Sequence, residues 1–320
     1  MTAYIVKRLL SLFPVLFVVS VVIFSIIHIT PGNPAAMILG QEATAEQIAT
    51  LSEQMGLHLP IYEQYLNWVI GVFQADLGMS YFMREPVLDL IFKYIQPTLS
   101  LAIFAQIIAV IIAIPVGIIA ATRRGSVVDQ SLMGMTLIGM AIPSFLLGLL
   151  LMLVFGVYLQ WLPIGGYRAI ENGFLEHVKF LIMPALSLAT VQAALIARMT
   201  RSSMLEVLNR SFIKTARSKG SKERRVIFGH ALRNAFLPVL TVIGQSFGTL
   251  IAGAVVTEII FNIPGIGQLV INSVERRDYP VIQGTVLFIT VSYVFINLLV
   301  DLLYGVIDPR VRLGQGRRGE

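Results

Sequence analysis

The sequence predicts an all-α integral membrane protein with six transmembrane helices and a helical extracytoplasmic segment between spans one and two. Three observations carry this. Of 320 residues, 56% are hydrophobic and only 13% are charged; the mean hydropathy is +0.79; and apolar runs long enough to cross about 30 Å of hydrocarbon recur along the chain. These values lie outside the range of soluble domains. The chain has no cysteine, so disulfide and thiolate chemistry are excluded.

The runs lie near 9–29, 99–121, 132–158, 181–200, 235–260 and 281–303. The first follows Lys7-Arg8 but is longer than a secretory h-region and lacks a small-residue cleavage site, so it reads as a retained span. The fourth carries Pro184 in what reads as its first turn and meets Arg198 and Arg201 early. With the N-terminus inside, 18 of the 24 Lys and Arg fall on one face of the membrane, ten of them between 198 and 233. The positive-inside rule then makes both termini and the basic loop cytoplasmic. The net charge of +6 is accordingly a topology signal, and no nucleic-acid partner is expected.

Four regions follow: residues 1–29, the N-terminal cytoplasmic end and first span; 30–98, the extracytoplasmic helical segment; 99–308, a five-span core containing the cytoplasmic loop 201–233; and 309–320, a cytoplasmic tail. In the external segment, Thr44 and Gln47 form a capping-box pattern, Ile48, Leu51 and Met55 share a face, and Gly56 ends the run. A second helix is expected from Pro60, with Ile61, Tyr65, Trp68, Val69 and Val72 along one side until Asp76-Leu-Gly78. Such stripes are packing faces of a small cap.

Enzyme signatures fail on context. Gly244-Gln-Ser-Phe-Gly248 matches the G-x-S-x-G elbow in form, but it lies inside an apolar helical span where no strand-to-helix turn exposes the serine. His28, His58, His177 and His230 fall at span ends or in loops, leaving no base within reach. Small residues there read instead as helix–helix packing. Pro264-Gly-Ile-Gly-Gln268 is a turn-rich external segment, and no G-x-x-x-x-G-K-[ST] sequence occurs. No catalytic, cofactor-binding or metal-ligating residue is therefore assigned. Of the ionisable residues inside spans, Glu258 lies toward the outer end of span five and Asp301 toward the cytoplasmic end of span six. Two acids without a buried base are poor material for a proton relay, so a coupled secondary transporter is disfavoured.

The basic loop carries the sharper signal. Ser211 is placed to cap a short helix through Lys219, Gly220 to end it, and Ser221 to cap a second helix presenting Val226, Ile227 and Ala231. Such a helix-turn-helix is either a solvated loop obeying the positive-inside rule or a docking element for a soluble subunit.

Lys214-Thr-Ala216, Gly220 and Leu237-Pro238 resemble the Glu-Ala-Ala loop of ABC importer permeases, in the variant of the dipeptide, oligopeptide and nickel permease family. The likeness runs from end to end, through "HITPGNPA", "MGLHLPIYEQY", "ADLGMSY", "EIIFNIPGIGQL" and "LLVDLLYGVIDPRVR". It implies a type I ABC importer permease fold and a transport subunit that is not itself an enzyme, with ATP and Mg held by partner subunits. The implied partners are a second related permease in a heterodimer, two ABC ATPases, an extracytoplasmic substrate-binding protein and the lipid bilayer of a bacterial or archaeal inner membrane. Phe212, Lys214, Thr215, Ala216, Arg217 and Gly220 would couple to the ATPase. Lys214-Thr215 stands where the wider family has Glu-Ala, so no acidic role is carried to 214.

The substrate pathway is expected to involve Gln245, Ser246, Thr249, Glu258 and Asn297, which are also suited to holding helices together. Di- or oligopeptides are the expected cargo, with glutathione or nickel chelates as alternatives. A reading from another class, a membrane receptor or scaffold that docks a cytoplasmic partner, differs in that ATP turnover would not respond to a loaded binding protein.

Overall fold

The computed structural model describes residues 10, 12–29, 34–40 and 43–307. Lys7, Arg8 and the tail 309–320 lie outside the described residues. Helices in chain order are α1 (Leu12–Ile29), α2 (Pro34–Leu39), α3 (Ala45–Gln54), α4 (Ile61–Phe73), α5 (Val87–Thr122), α6 (Val127–Ala141), α7 (Ser144–Leu151), α8 (Phe174–Leu208), α9 (Ser211–Ser218), α10 (Arg233–Gly253), α11 (Val255–Ile260), α12 (Ile266–Glu275) and α13 (Tyr279–Ile307). One isolated antiparallel bridge joins Met79 and Pro86.

Each expected span coincides with apolar helix. Val87–Thr122, Phe174–Leu208, Arg225–Ile251 and Tyr279–Val300 are each long and apolar enough to cross a membrane, and Val127–Ala141 with Ser144–Tyr158 forms a pair bent by 95°. Leu12–Ser25 is apolar but shorter within the described residues. The bend falls inside the run expected to span over 132–158. Pro143 disfavours helical geometry at the preceding residue, and Ile142 adopts φ −82°, ψ 121°. A π-helical stretch, Met152–Tyr158, continues α7. The fourth span also differs from expectation. Its helix begins at Phe174, after Gly173 at φ +113°, so Pro184 is interior and not in the first turn. A proline at that depth is tolerated because neighbouring helices and side chains satisfy the backbone group it frees.

The chain divides into two compact units, one formed by Pro97–Ile263 with the residues from Phe295, the other by the residues up to Gln96 with Pro264–Val294. The core of the first is built on small residues. Ala102, Ala105, Ala109 and Ala113 of α5 pack in one cluster with Ala185, Ala189, Ala193 and Ala197 of α8. Alanines let helix backbones approach closely, which is the principal source of cohesion where lipid removes the hydrophobic drive. Gly117 takes this furthest, since a Cβ there would stand 2.5 Å from Thr200 Cβ and 2.7 Å from the Ala197 carbonyl oxygen. Gly244, from the G-x-S-x-G match, meets Val300 in the same way, at 2.2 Å. That stretch is a packing surface.

In the other unit, the capping box forms as expected: Gln47 N donates to Thr44 Oγ1 and Thr44 N to Gln47 Oε1. Tyr65, Trp68, Val69 and Val72 are half-buried, whereas Ile61, placed on the same stripe, is 62% exposed. Tyr65 and Trp68 lie against Phe24 of α1. The turn between Gly78 and Val87 is held by one carboxylate, Asp278. It accepts from Ser80 Oγ at 2.5 Å and from the backbone N–H groups of Tyr81 and Phe82 at 3.2 and 3.3 Å. Arg276 stands 3.6 Å above the Phe82 ring. Burial, with the Asp278 charge adding to it, pushes the Tyr81 phenol up to about 12.

Candidate functional site: a cytoplasmic docking helix and a polar patch in the spans

The basic loop folds as a short helix anchored on one side. Ile213 of α9 is fully buried, in a cluster with Ile118, Ala121, Met204, Val207, Val226, Ala231 and Ala235. A single apolar side chain thus seats the helix and turns its neighbours outward. Phe212 is 41% exposed, Lys214, Thr215 and Arg217 are exposed, and Ala216 is half-buried. Ser211 is the first helical residue and not the expected cap: Arg210 takes the extended cap conformation, φ −72°, ψ 152°. Its side chain makes an ion pair with Glu206 one turn earlier in the chain.

The helix ends in a Schellman turn. Ser221 N donates to Ala216 O (3.2 Å) and Gly220 N to Arg217 O (2.9 Å), with Gly220 at φ +76°. A side chain at that φ is strained, so the glycine is favoured by the backbone and not by space, since nothing lies within 4 Å of a Cβ built there. Across the turn Arg217 grips Glu223 with two hydrogen bonds, Nε to Oε2 at 3.1 Å and Nη2 to Oε1 at 2.5 Å. The hydrogen bond from Arg217 holds the Glu223 carboxyl below its usual range. Arg217 and Glu223 also line a cleft of about 210 Å³ with Ala121, Thr122, Arg124, Leu205, Leu208 and Asn209. The second helix expected from Ser221 takes π-helical form over Arg225–Leu232 and runs without a break into α10. The Ser221 cap is not among its hydrogen bonds; Arg225 N and Val226 N bond to Lys222 O instead.

Of the expected pathway residues, the structure brings two into one cluster. Ser246 is buried and donates to Gln106 Oε1 of α5 at 3.1 Å. Thr249, one turn further along α10, accepts from Gln192 Nε2 of α8 at 3.3 Å. Gln245 beside them is exposed. Glu258 stands apart on α11, fully buried, where Thr98 donates to its Oε1 at 2.6 Å. Asn297 of α13 is half-buried. Gln106 and Gln192 were not singled out from sequence, although an amide side chain inside a membrane span is the signal that would have found them.

Nearer the basic loop, Arg201 of α8 makes a two-pronged contact with Asp129 of α6, Nε to Oδ1 at 2.6 Å and Nη2 to Oδ2 at 2.7 Å. Gly125 N completes the carboxylate's shell at 2.9 Å. This contact explains the early arginine that made the fourth span look interrupted.

Known proteins resemble this chain in sequence and in fold. A probable peptide ABC transporter permease protein from Sinorhizobium fredii is 42% identical over 312 residues, covering 98% of this chain and 100% of that protein. A glutathione transport system permease protein from Escherichia coli is 43% identical over 312 residues, 98% of this chain and 99% of that protein. A dipeptide transport system permease protein from Alkalihalophilus pseudofirmus is 43% identical, over 98% of this chain and 100% of that one. In fold, a chain of the MetNI methionine ABC transporter in an inward-facing conformation superposes with a TM-score of 0.58 at 17% identity, over 68% of this chain and 96% of that one. Residues 1–102 match the N-terminal model of the binding-protein-dependent transport system membrane components. Because residues 113–313 match the family of binding-protein-dependent transport system inner membrane components, the chain belongs to that family.

Proposed function

We propose that this chain is one of two permease subunits of an ATP-binding-cassette importer for di- or oligopeptides. The observation that carries the peptide reading is the end-to-end match to permeases named for peptide, dipeptide and glutathione transport. Separate ATPases drive the cycle, with ATP and Mg on those subunits. An extracytoplasmic binding protein delivers the cargo, and the second permease is a related chain. Both termini face the cytoplasm, in keeping with the bias of Lys and Arg.

The docking helix α9 supports the coupling role. Its buried Ile213 and its Schellman turn fix Phe212, Lys214, Thr215, Ala216, Arg217 and Gly220 as a rigid foot with small and basic groups outward. Such a foot fits a groove on a soluble partner. ATP binding draws the two docked helices together and turns the spans outward, and hydrolysis resets them. Ser246 and Thr249, with Gln245 beside them, line the path, and Glu258 braces its outer end.

Native mass spectrometry of the tagged chain from its own host tests the assembly. The expected species holds one related permease and two ATPases. Recovery without ATPases would favour the receptor or scaffold reading. Uptake of labelled di- and tripeptides, glutathione and a nickel chelate by the reconstituted complex assigns the cargo.

A further inference from the structure

Helix α4 is apolar on two sides. At about 100° per residue, Tyr65, Trp68, Val69 and Val72 cover one arc and Tyr62, Leu66, Ile70 and Phe73 the next, so apolar side chains fill about 200° without a gap. Glu63, Asn67 and Gln74 fall in the remainder. The first arc is packed: Tyr65 and Trp68 lie against Phe24, and the hydroxyls of Tyr65 and Ser20 are 2.7 Å apart. The second is bare. Its four side chains are between 53% and 86% exposed, and such a row standing in water would be an aggregation liability.

The level at which α4 sits follows from α13. Gln283 Nε2 donates to the carbonyl oxygen of Ile23 at 3.4 Å, and Gln283 lies two residues inside the apolar run of span six. Ile23 is therefore level with the outer margin of the hydrocarbon, and Ser20 is about 4.5 Å deeper at helical rise. Because α4 is bound to span one at Ser20 and Phe24, it lies at the membrane surface and not above it.

We propose that α4 is an interfacial helix of the outer leaflet, with Tyr62, Leu66, Ile70 and Phe73 seated among lipid acyl chains and the edge of Glu63, Asn67 and Gln74 turned to water. The inference rests on the topology proposed above, in which the segment between α1 and α5 is extracytoplasmic. Three features favour lipid over a protein cover. The bare stripe is continuous with the face that already packs on a membrane span. Tyr62, Tyr65 and Trp68 are of the types that gather at a membrane–water boundary. A binding protein that leaves after each delivery needs a surface that water can reclaim, which four large apolar side chains do not offer. The helix carries no Lys or Arg, so its hold comes from apolar burial and not from anionic headgroups. The external segment is thereby tethered to the bilayer as well as to span one.

The chain has no cysteine, so one introduced thiol is the only one in it. The test places a nitroxide on Leu66→Cys, Ile70→Cys or Phe73→Cys in the stripe, and on Asn67→Cys or Gln74→Cys at the polar edge. Each labelled chain is assembled with cysteine-free partner subunits in vesicles of phosphatidylethanolamine and phosphatidylglycerol. Collisions with oxygen, which concentrates in hydrocarbon, are compared with collisions with water-soluble chromium oxalate. Oxygen is expected to dominate several-fold at 66, 70 and 73, and chromium oxalate at 67 and 74. Dominance of chromium oxalate at all five positions would place the stripe in water and overturn the proposal. Exclusion of both reagents from 66, 70 and 73 would also overturn it, since a protein, the second permease or the binding protein, would then cover the stripe. A membrane-impermeant maleimide separates this from the topology: it should label Asn67→Cys in intact spheroplasts. Labelling only after lysis would overturn the topology and the leaflet assignment with it, whereas external labelling without the collision pattern overturns this proposal alone.

Discussion

Asp129 and Arg201 face each other through two parallel hydrogen bonds of 2.6 and 2.7 Å, and the carboxylate side is 4% exposed against 28% for the guanidinium. The asymmetry decides which partner is the liability. Removing the arginine strands a carboxylate that is nearly enclosed, whereas removing the carboxylate leaves a cation with some access to solvent. Arg201→Leu is expected to cost about 3 kcal/mol, and Asp129→Leu less. Replacing both with leucine should restore most of the loss. Thermal unfolding of the detergent-solubilised chain checks the order of the three.

Gly220 tests whether the shape of the foot matters more than its charge. Gly220→Ala places a side chain at φ +76° and should cost about 1 kcal/mol locally. Gly220→Pro fixes φ near −65° and also removes the N–H that bonds to Arg217 O, so the turn cannot form. Transport should be reduced a few-fold by the first and abolished by the second, with membrane insertion unchanged in both. Ala216→Trp should also abolish transport by filling the outward face. Uptake assays with quantified membrane levels decide.

The Arg217–Glu223 bond predicts a pH response with a definite sign. Because the carboxyl is held below its usual range, the bond contributes fully above the ordinary carboxylate pKa and is lost as pH falls through the lowered value. Hydrogen exchange of the amides from 219 to 223 should therefore show no loss of protection from pH 8 to 5 once corrected for intrinsic rate. Protection should fall in stronger acid. Both groups are about half exposed, so Glu223→Gln should reduce coupling only modestly and should flatten the acid limb.

Gly117 and Gly134 form a matched pair on neighbouring spans. A methyl at 117 collides with Thr200 and with a backbone carbonyl, while nothing lies within 4 Å of one at 134. Gly117→Ala is expected to cost about 1–3 kcal/mol through overpacking, and Gly134→Ala to be neutral or mildly stabilising. Melting temperatures of the two variants give the comparison.

Periodicity and composition made the spans legible because lipid imposes a length and a polarity that any reader can count. The same rule hid the bend at Ile142 and Pro143: hydropathy averages over a window, whereas the effect of Pro143 is confined to one preceding residue. Gly220 was readable since left-handed backbone after a helix calls for glycine. Ser211 was misread as a cap because a serine before a helix carries no information about which residue turns first, and Arg210 took the position without side-chain help. Gln106 and Gln192 stayed hidden for a different reason. Each is the single amide of its own expected span, and only the packing of α5, α8 and α10 puts them beside Ser246 and Thr249.

From Glu223 through Gly253 the backbone is helical at every residue, first wide and then regular, a span of 31 residues and about 45 Å at α-helical rise. Its lower end is tied to the foot through the Arg217–Glu223 bond, and its upper third carries Ser246 and Thr249. Between the two ends lie the π-helical Arg225–Leu232 and Pro238, the two places at which such a rod can bend.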